Sequence, residues 1–287
     1  MSFPFTVPLP PEEVVTPTVN QRCPLGTRGM TADGRVYRYA KNGTTALNRG
    51  YLVQSEAAAT QWENTTFANW VTGWLTQLGT TYIPAGTTYA YLSATGDSAM
   101  TIAKDYFKEG YFFVSGTSTA GGQYMKIKEH PAASSGSSGV SPNNTTGGRF
   151  KVVFEAGYSF TDNIDTGVEI SMMKNAYKDV IVAATAPTGG VLGVPNCYVP
   201  ASYYFWCQTW GACAVKNDDQ ASIVTNKYFV NSSSVAGTIE CATNATGWFS
   251  GAVYEQNQIA VGFGLQSTAV AANEASTFPL IHLTIAP

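Results

Sequence analysis

Gln123-Tyr-Met-Lys-Ile-Lys-Glu129 is the stretch whose reading decides the fold class. In an extended chain successive side chains point to opposite faces, so Met125 and Ile127 share one face and Lys126 and Lys128 the other. One face is apolar and one is wet, as in antiparallel sheets and unlike the strands of a βαβ core. Outward from this stretch, short runs rich in β-branched and aromatic residues recur between Gly, Asn, Pro and Ser boundaries. Strands are predicted at 35–40, 51–54, 88–93, 111–115, 123–129, 150–155, 168–172, 179–183, 203–208, 212–216, 259–264 and 280–285. The chain therefore reads as mainly β, an antiparallel β-sandwich or barrel-like fold with an extended N-terminal arm and at most one or two short helices. Phe67, Trp70, Val71, Trp74, Leu75 and Leu78 recur at helical spacing and predict one helix, with Gly79 as its cap.

Organisation follows from the punctuation. Residues 1–24 form the arm, 25–195 a β-rich part, and 196–287 a second β-rich part divided from it near Pro195–Pro200 or continuous with it. The low-complexity run 132–148 reads as a long loop, because strand-like residues end at Glu129 and restart at Phe150.

In the arm, Phe3, Phe5, Val7 and Leu9 alternate with Pro4, Pro8 and Pro10. The apolar residues line one face, and the prolines strip donors from the edge served by even positions. Such a segment can add to one neighbouring strand but cannot sit between two. Two readings follow. The arm docks on another subunit with its apolar side chains in pockets, or it is a frayed tail or an edge strand of the chain's own sheet.

Composition excludes several classes. The 287 residues carry 12% charged and 13% aromatic side chains, a balance that suits a surface largely covered by partners. A net charge of −3, with no basic cluster beyond Lys126 and Lys128, argues against nucleic acid. No run of about 18 apolar residues exists, and the proline-broken N-terminus is no signal peptide, so membrane contact is not expected. Cys23, Cys197, Cys207, Cys213 and Cys241 lack metal-ligand spacing and read as free thiols, a single Cys207–Cys213 disulfide being the alternative. No metal and no cofactor is expected.

Catalytic constellations were weighed and set aside. Gly96-Asp97-Ser98 lacks a histidine held by a carboxylate. His282 is predicted to lie opposite the face shared by Ile281, Leu283 and Ile285, and His130 sits at a strand end. The acids Asp162/Asp165, Glu155/Glu169 and Asp218/Asp219 are the candidates for a glycosidase pair, with turn chemistry as the alternative. The chain is expected not to be an enzyme.

Residues 24–47 (PLGTRGMTADGRVYRYAKNGTTAL) resemble the opening of structural proteins encoded beside the major capsid gene of tailed bacteriophages. Similar to the same proteins are 124–131 (YMKIKEHP), 174–182 (KNAYKDVIV), Gly193-Val-Pro195, 203–211 (YYFWCQTWG) and the ending 283–287 (LTIAP). Between Trp62 and Ser98 the chain departs from that pattern. The resemblance implies a capsid decoration, or cement, protein, made in the host bacterial cytoplasm and carried on the outer surface of the virion. Its implied partners are the major capsid protein and its own copies, as a homotrimer. Phe3, Phe5, Val7 and Leu9 are the candidate anchors, and Tyr37, Tyr39, Trp206 and Trp210 the candidate interfacial aromatics, for which core packing is the alternative. The rival readings are a spike or fibre module binding host glycan, a tail or connector protein, and a polysaccharide-degrading enzyme.

Overall fold

The computed structural model describes residues 6–56, 82–93, 101–114, 120–134, 149–165, 168, 170–218, 228–242, 259–265 and 278–286. The predicted helix at 67–78 and the Gly96-Asp97-Ser98 block lie outside the described residues. The chain divides into two compact units, Met1–Ala57 with Ala176–Pro287, and Ala58–Asn175. The boundary read near 195 falls instead inside a sheet, where Val194 pairs with Gln208 and Pro195 with Cys207. Pairing of Val53–Gln54 with Ile181–Val182 joins the two stretches of the first unit.

The first unit is built on one sheet with the order Val7–Pro8, Arg28–Met30, Val36–Lys41, Tyr204–Ala214, Leu280–Thr284, Ala260–Gly264, Tyr228–Asn231, Ile239–Cys241. Val53–Gln54, Ile181–Val182 and Val191–Pro195 branch from it. Every pairing is antiparallel except the first, Val7–Pro8 with Arg28–Met30. The strands expected at 203–208 and 212–216 are one strand of 11 residues, Tyr204–Ala214. A register shift between Gln208 and Trp210 bends it. Gly211 takes φ of 91° beside this shift, a backbone state that side chains with a Cβ rarely adopt. Residues 204–210 pair with Val36–Lys41, and 210–214 pair with Leu280–Thr284.

The first part of that strand is covered on both faces. Trp206 packs with Leu9, Val14, Leu25, Tyr37 and Tyr39. Phe205 and Cys207 pack with Leu47, Val53, Val180 and Val199. A third cluster joins Cys213, Ile281 and Leu283 to Phe229, Ile239 and Val261.

The second unit carries a five-stranded antiparallel sheet in the order Ile170–Met173, Tyr111–Val114, Tyr124–Glu129, Arg149–Phe154, Tyr89–Ser93. Met125 and Ile127 are buried and Lys128 is exposed, as the alternation predicted. Because Tyr124–Glu129 and Arg149–Phe154 are sheet neighbours, the run between them joins two strands of one sheet and does not separate two units. Phe112, Phe154 and Phe160 meet at centroid distances of 5.3–6.0 Å in the core. His130 is buried at the end of its strand, where Nε2 accepts the Phe107 N–H at 2.9 Å and Nδ1 lies 2.8 Å from the Pro131 carbonyl. With Nε2 accepting, Nδ1 is the protonated nitrogen and the ring is neutral. This histidine holds a loop.

Candidate functional site: an uncovered sheet face and a cationic groove

The leader folds onto its own unit. Leu9 N–H donates to the Met30 carbonyl at 2.9 Å, the odd-numbered edge that the proline pattern left intact. Thr18 and Tyr204 exchange two backbone hydrogen bonds of 2.8 Å, and Arg22 N–H donates to Tyr39 Oη at 3.0 Å. Leu9 is 4% exposed, and a Cβ at Gly29 would collide with its Cδ1. Of the two readings of the arm, the structure shows the second, an edge strand. Val7 and Leu9 are thus corrected from anchors on a partner to cover for this chain's own core, while Phe3 and Phe5 lie outside the described residues. Tyr37, Tyr39 and Trp206 are likewise buried, at 0%, 2% and 2% exposure, and are core residues, not interfacial ones. Burial pushes the Tyr37 phenol up to about 12.

Trp210, half-buried, lies beyond the bend on an open face. Beyond the bend, Gly211 and Cys213 are buried while Ala212 and Ala214 are exposed. On the neighbouring strand Leu280 is exposed and His282 half-buried, with Ile281 and Leu283 inward as predicted. Cross-strand register then sets Ala212, His282, Phe263 and Tyr228 in one row across four strands. Phe263 stacks on His282 with centroids 4.9 Å apart and planes at 15°, and Trp210 meets the same imidazole edge-on at 5.2 Å. Trp210, Ala212, Ala214, Leu280, Thr284 and this row carry no carboxylate, ammonium or guanidinium. A cavity of about 560 Å³ opens beside Trp210 and His282, rimmed by Asp33 and Arg35.

A groove borders this face on the Tyr204–Ala214 side of the Leu280–Thr284 strand. One cavity of about 490 Å³ is walled by Arg35, Ala212, Ala214 and Leu280, and one of about 750 Å³ by Asn48, Tyr51, Cys197 and Tyr198. Arg49, Asn196 and Phe278 are walls of both. The floor is a neutral buried network. Asn196 Nδ2 donates to Gln208 Oε1 at 2.8 Å and to Tyr37 Oη at 3.1 Å, and Gln208 Nε2 donates to the Ala212 carbonyl at 2.9 Å. Arg35 Nε donates to Asp33 at 2.7 Å, and the Thr31 hydroxyl, ahead of Arg35, holds the Asp33 carboxyl below its usual range. Lys216 Nζ donates to Tyr51 Oη at 2.8 Å. Arg49 is exposed and has no hydrogen bond or ion pair among the described residues.

Of the acids named as candidate pairs, only Asp162 with Asp165 has both members among the described residues. Asp162 accepts the neighbouring Thr161 hydroxyl at 2.8 Å and is exposed, as is Asp165. Glu169 and Asp219 lie outside the described residues. Asp218 is instead buried, accepts the Ser232 hydroxyl at 2.7 Å, and shares a hydrogen bond with Glu240. Burial, and then Asp218 itself, raise the Glu240 carboxyl above its usual range. This partnership joins Asp218, which follows the isolated bridge of Asn217 to Ile239, to Glu240 on the Ile239–Cys241 strand, 22 residues on, and no local pattern announces it. All five cysteines are free thiols, and burial pushes Cys197 up to about 11 and Cys213 up to about 12. Protein-family models, curated proteins and solved structures were compared with the chain, and none matches.

Proposed function

We propose that the chain is a virion structural protein that decorates the outer surface of a capsid shell. In this reading it binds the major capsid protein and its own copies, as a trimer, through the uncovered face of the first unit. The observation that carries the proposal is the row Ala212, His282, Phe263, Tyr228 with Trp210 and Leu280, rich in aromatic side chains and without carboxylate, ammonium or guanidinium. Interface cores are enriched in aromatic side chains and depleted in charged ones. The sparse charge of the whole chain and the resemblance of residues 24–47 and 203–211 to capsid-associated proteins support the same reading. Several modest contacts on one particle reinforce one another, because each raises the effective concentration of the next. The anchor role expected of Val7 and Leu9 has no part in it.

The test mixes purified protein with undecorated shells of the major capsid protein and measures co-sedimentation. Saturable binding is expected, weakened at least tenfold by Phe263→Ala combined with Trp210→Ala, with the variants folded by circular dichroism. Undiminished binding by the folded double variant, or recovery of the protein only with tails, would contradict the proposal.

A further inference from the structure

The groove beside the uncovered face has chemistry of its own. Its two guanidiniums, Arg35 and Arg49, and the nearby Lys216 outnumber its one carboxylate, Asp33, on a chain whose net charge is −3. The Arg35 charge is engaged by Asp33. The Arg49 guanidinium is not engaged among the described residues, and it stands where the two cavities meet. A guanidinium presents a rigid fork of donors that matches a carboxylate in two parallel hydrogen bonds. The walls beside it are aromatic and open, with Phe278 48% and Tyr198 59% exposed. The phenyl and phenol rings offer flat apolar faces, and the Asn48 side chain on the same wall supplies neutral donors and acceptors. The occupant that satisfies all three is a chain of flat-faced rings bearing hydroxyls and carboxylates.

We propose that the groove walled by Arg49, Phe278 and Tyr198 binds an acidic oligosaccharide, a uronic-acid polymer, with Arg49 receiving a carboxylate and the two aromatic rings stacking on sugar faces. This site adjoins the shell contact: Ala212 and Leu280 border both, while Arg49, Tyr198 and Phe278 lie outside the row and Phe263 and Tyr228 lie across the Leu280–Thr284 strand from the groove.

Isothermal titration of the full chain with oligogalacturonate, with a neutral maltooligosaccharide of equal length, and with a poly-glutamate peptide tests the assignment. Saturable oligogalacturonate binding is expected, at least tenfold tighter than either comparison ligand and weakening as salt rises. Arg49→Ala is expected to reduce the affinity at least tenfold, Phe278→Ala by a smaller factor, and Arg49→Lys less than Arg49→Ala. Arg49 is exposed and bonded to no described residue, so its variants fold. No saturable binding, equal binding of the neutral sugar or the peptide, or an unaffected Arg49→Ala would each overturn the proposal. Arg49→Ala keeps its binding to capsid shells, so loss of sugar binding and failure of the capsid reading give different results.

Discussion

The two ends of the Tyr204–Ala214 strand have opposite fates. From Phe205 to Gln208 every side chain is buried, one face beneath Leu47, Val53 and Val199 and the other beneath the leader. From Trp210 to Ala214 only alternate residues are buried, and Trp210, Ala212 and Ala214 remain open. The leader supplies the difference. Leu9, Val14 and the Thr18 bridge reach Trp206 and Tyr204, and no described segment does the same for the row beyond the bend. Exposed apolar patches of this composition are the kind that interaction surfaces present. For the first end the cover is intramolecular, and for the second the proposed function makes it another subunit.

The largest expected effect attacks the covered end. Deleting residues 1–11 removes the edge strand and bares Trp206, Tyr37 and Tyr39, so the first unit is expected to lose its cooperative thermal transition. If the truncated chain melts as the full one does, the leader is not the cover described here. Next, Trp206→Ala is expected to cost about 3–5 kcal/mol and Leu9→Ala about 2–5 kcal/mol in urea unfolding, as large-to-small changes in a packed core do. At the open end, Trp210→Ala and Phe263→Ala are expected to cost well below those values in the free protein, since half-exposed rings leave no closed cavity. Equal losses at the two ends would erase the contrast.

The smallest effect concerns the far edge of the same sheet. The Glu240 carboxyl is raised in the folded state, so the fold binds its proton more tightly than the unfolded chain does. The stabilisation is therefore fully present below the unfolded carboxylate range and is lost as pH rises through the folded value. Glu240→Gln keeps a hydrogen-bonding side chain without the charge, and it is expected to raise the melting temperature at neutral pH and to flatten this dependence. A lower melting temperature at pH 7 would show that the carboxylate pair is held together by other means.

What was legible in the sequence was local. Runs of β-branched and aromatic residues found the longer strands, such as Val36–Lys41, Tyr124–Glu129 and Leu280–Thr284, and missed Arg28–Met30, Val191–Pro195, Tyr228–Asn231 and Ile239–Cys241. Alternation turned His282 outward correctly, since Ile281 and Leu283 flank it. Gly211 misled the reading, because a glycine between two aromatic runs looks like a break and here marks a bend within one strand. At Pro195–Pro200 the sequence leaves division and continuity both open, and the strand pairing of Val194 with Gln208 and Pro195 with Cys207 runs across the stretch. The proline parity of the leader correctly named the edge it could use, but not the strand it would meet, which begins at Arg28. The open row was not legible at all. Its members come from four strands between Ala212 and His282, and only the register across the sheet makes them neighbours. Nor was the pairing of Asp218 with Glu240 legible, for the same reason.

Hydroxyl-radical footprinting of the protein free in solution and in the intact particle tests the central claim most directly. The account predicts that Trp210, Phe263 and Tyr228 react in the free protein and are protected in the particle, while Trp206 is protected in both. Trp210, Phe263 and Tyr228 reacting equally in the two states would contradict it.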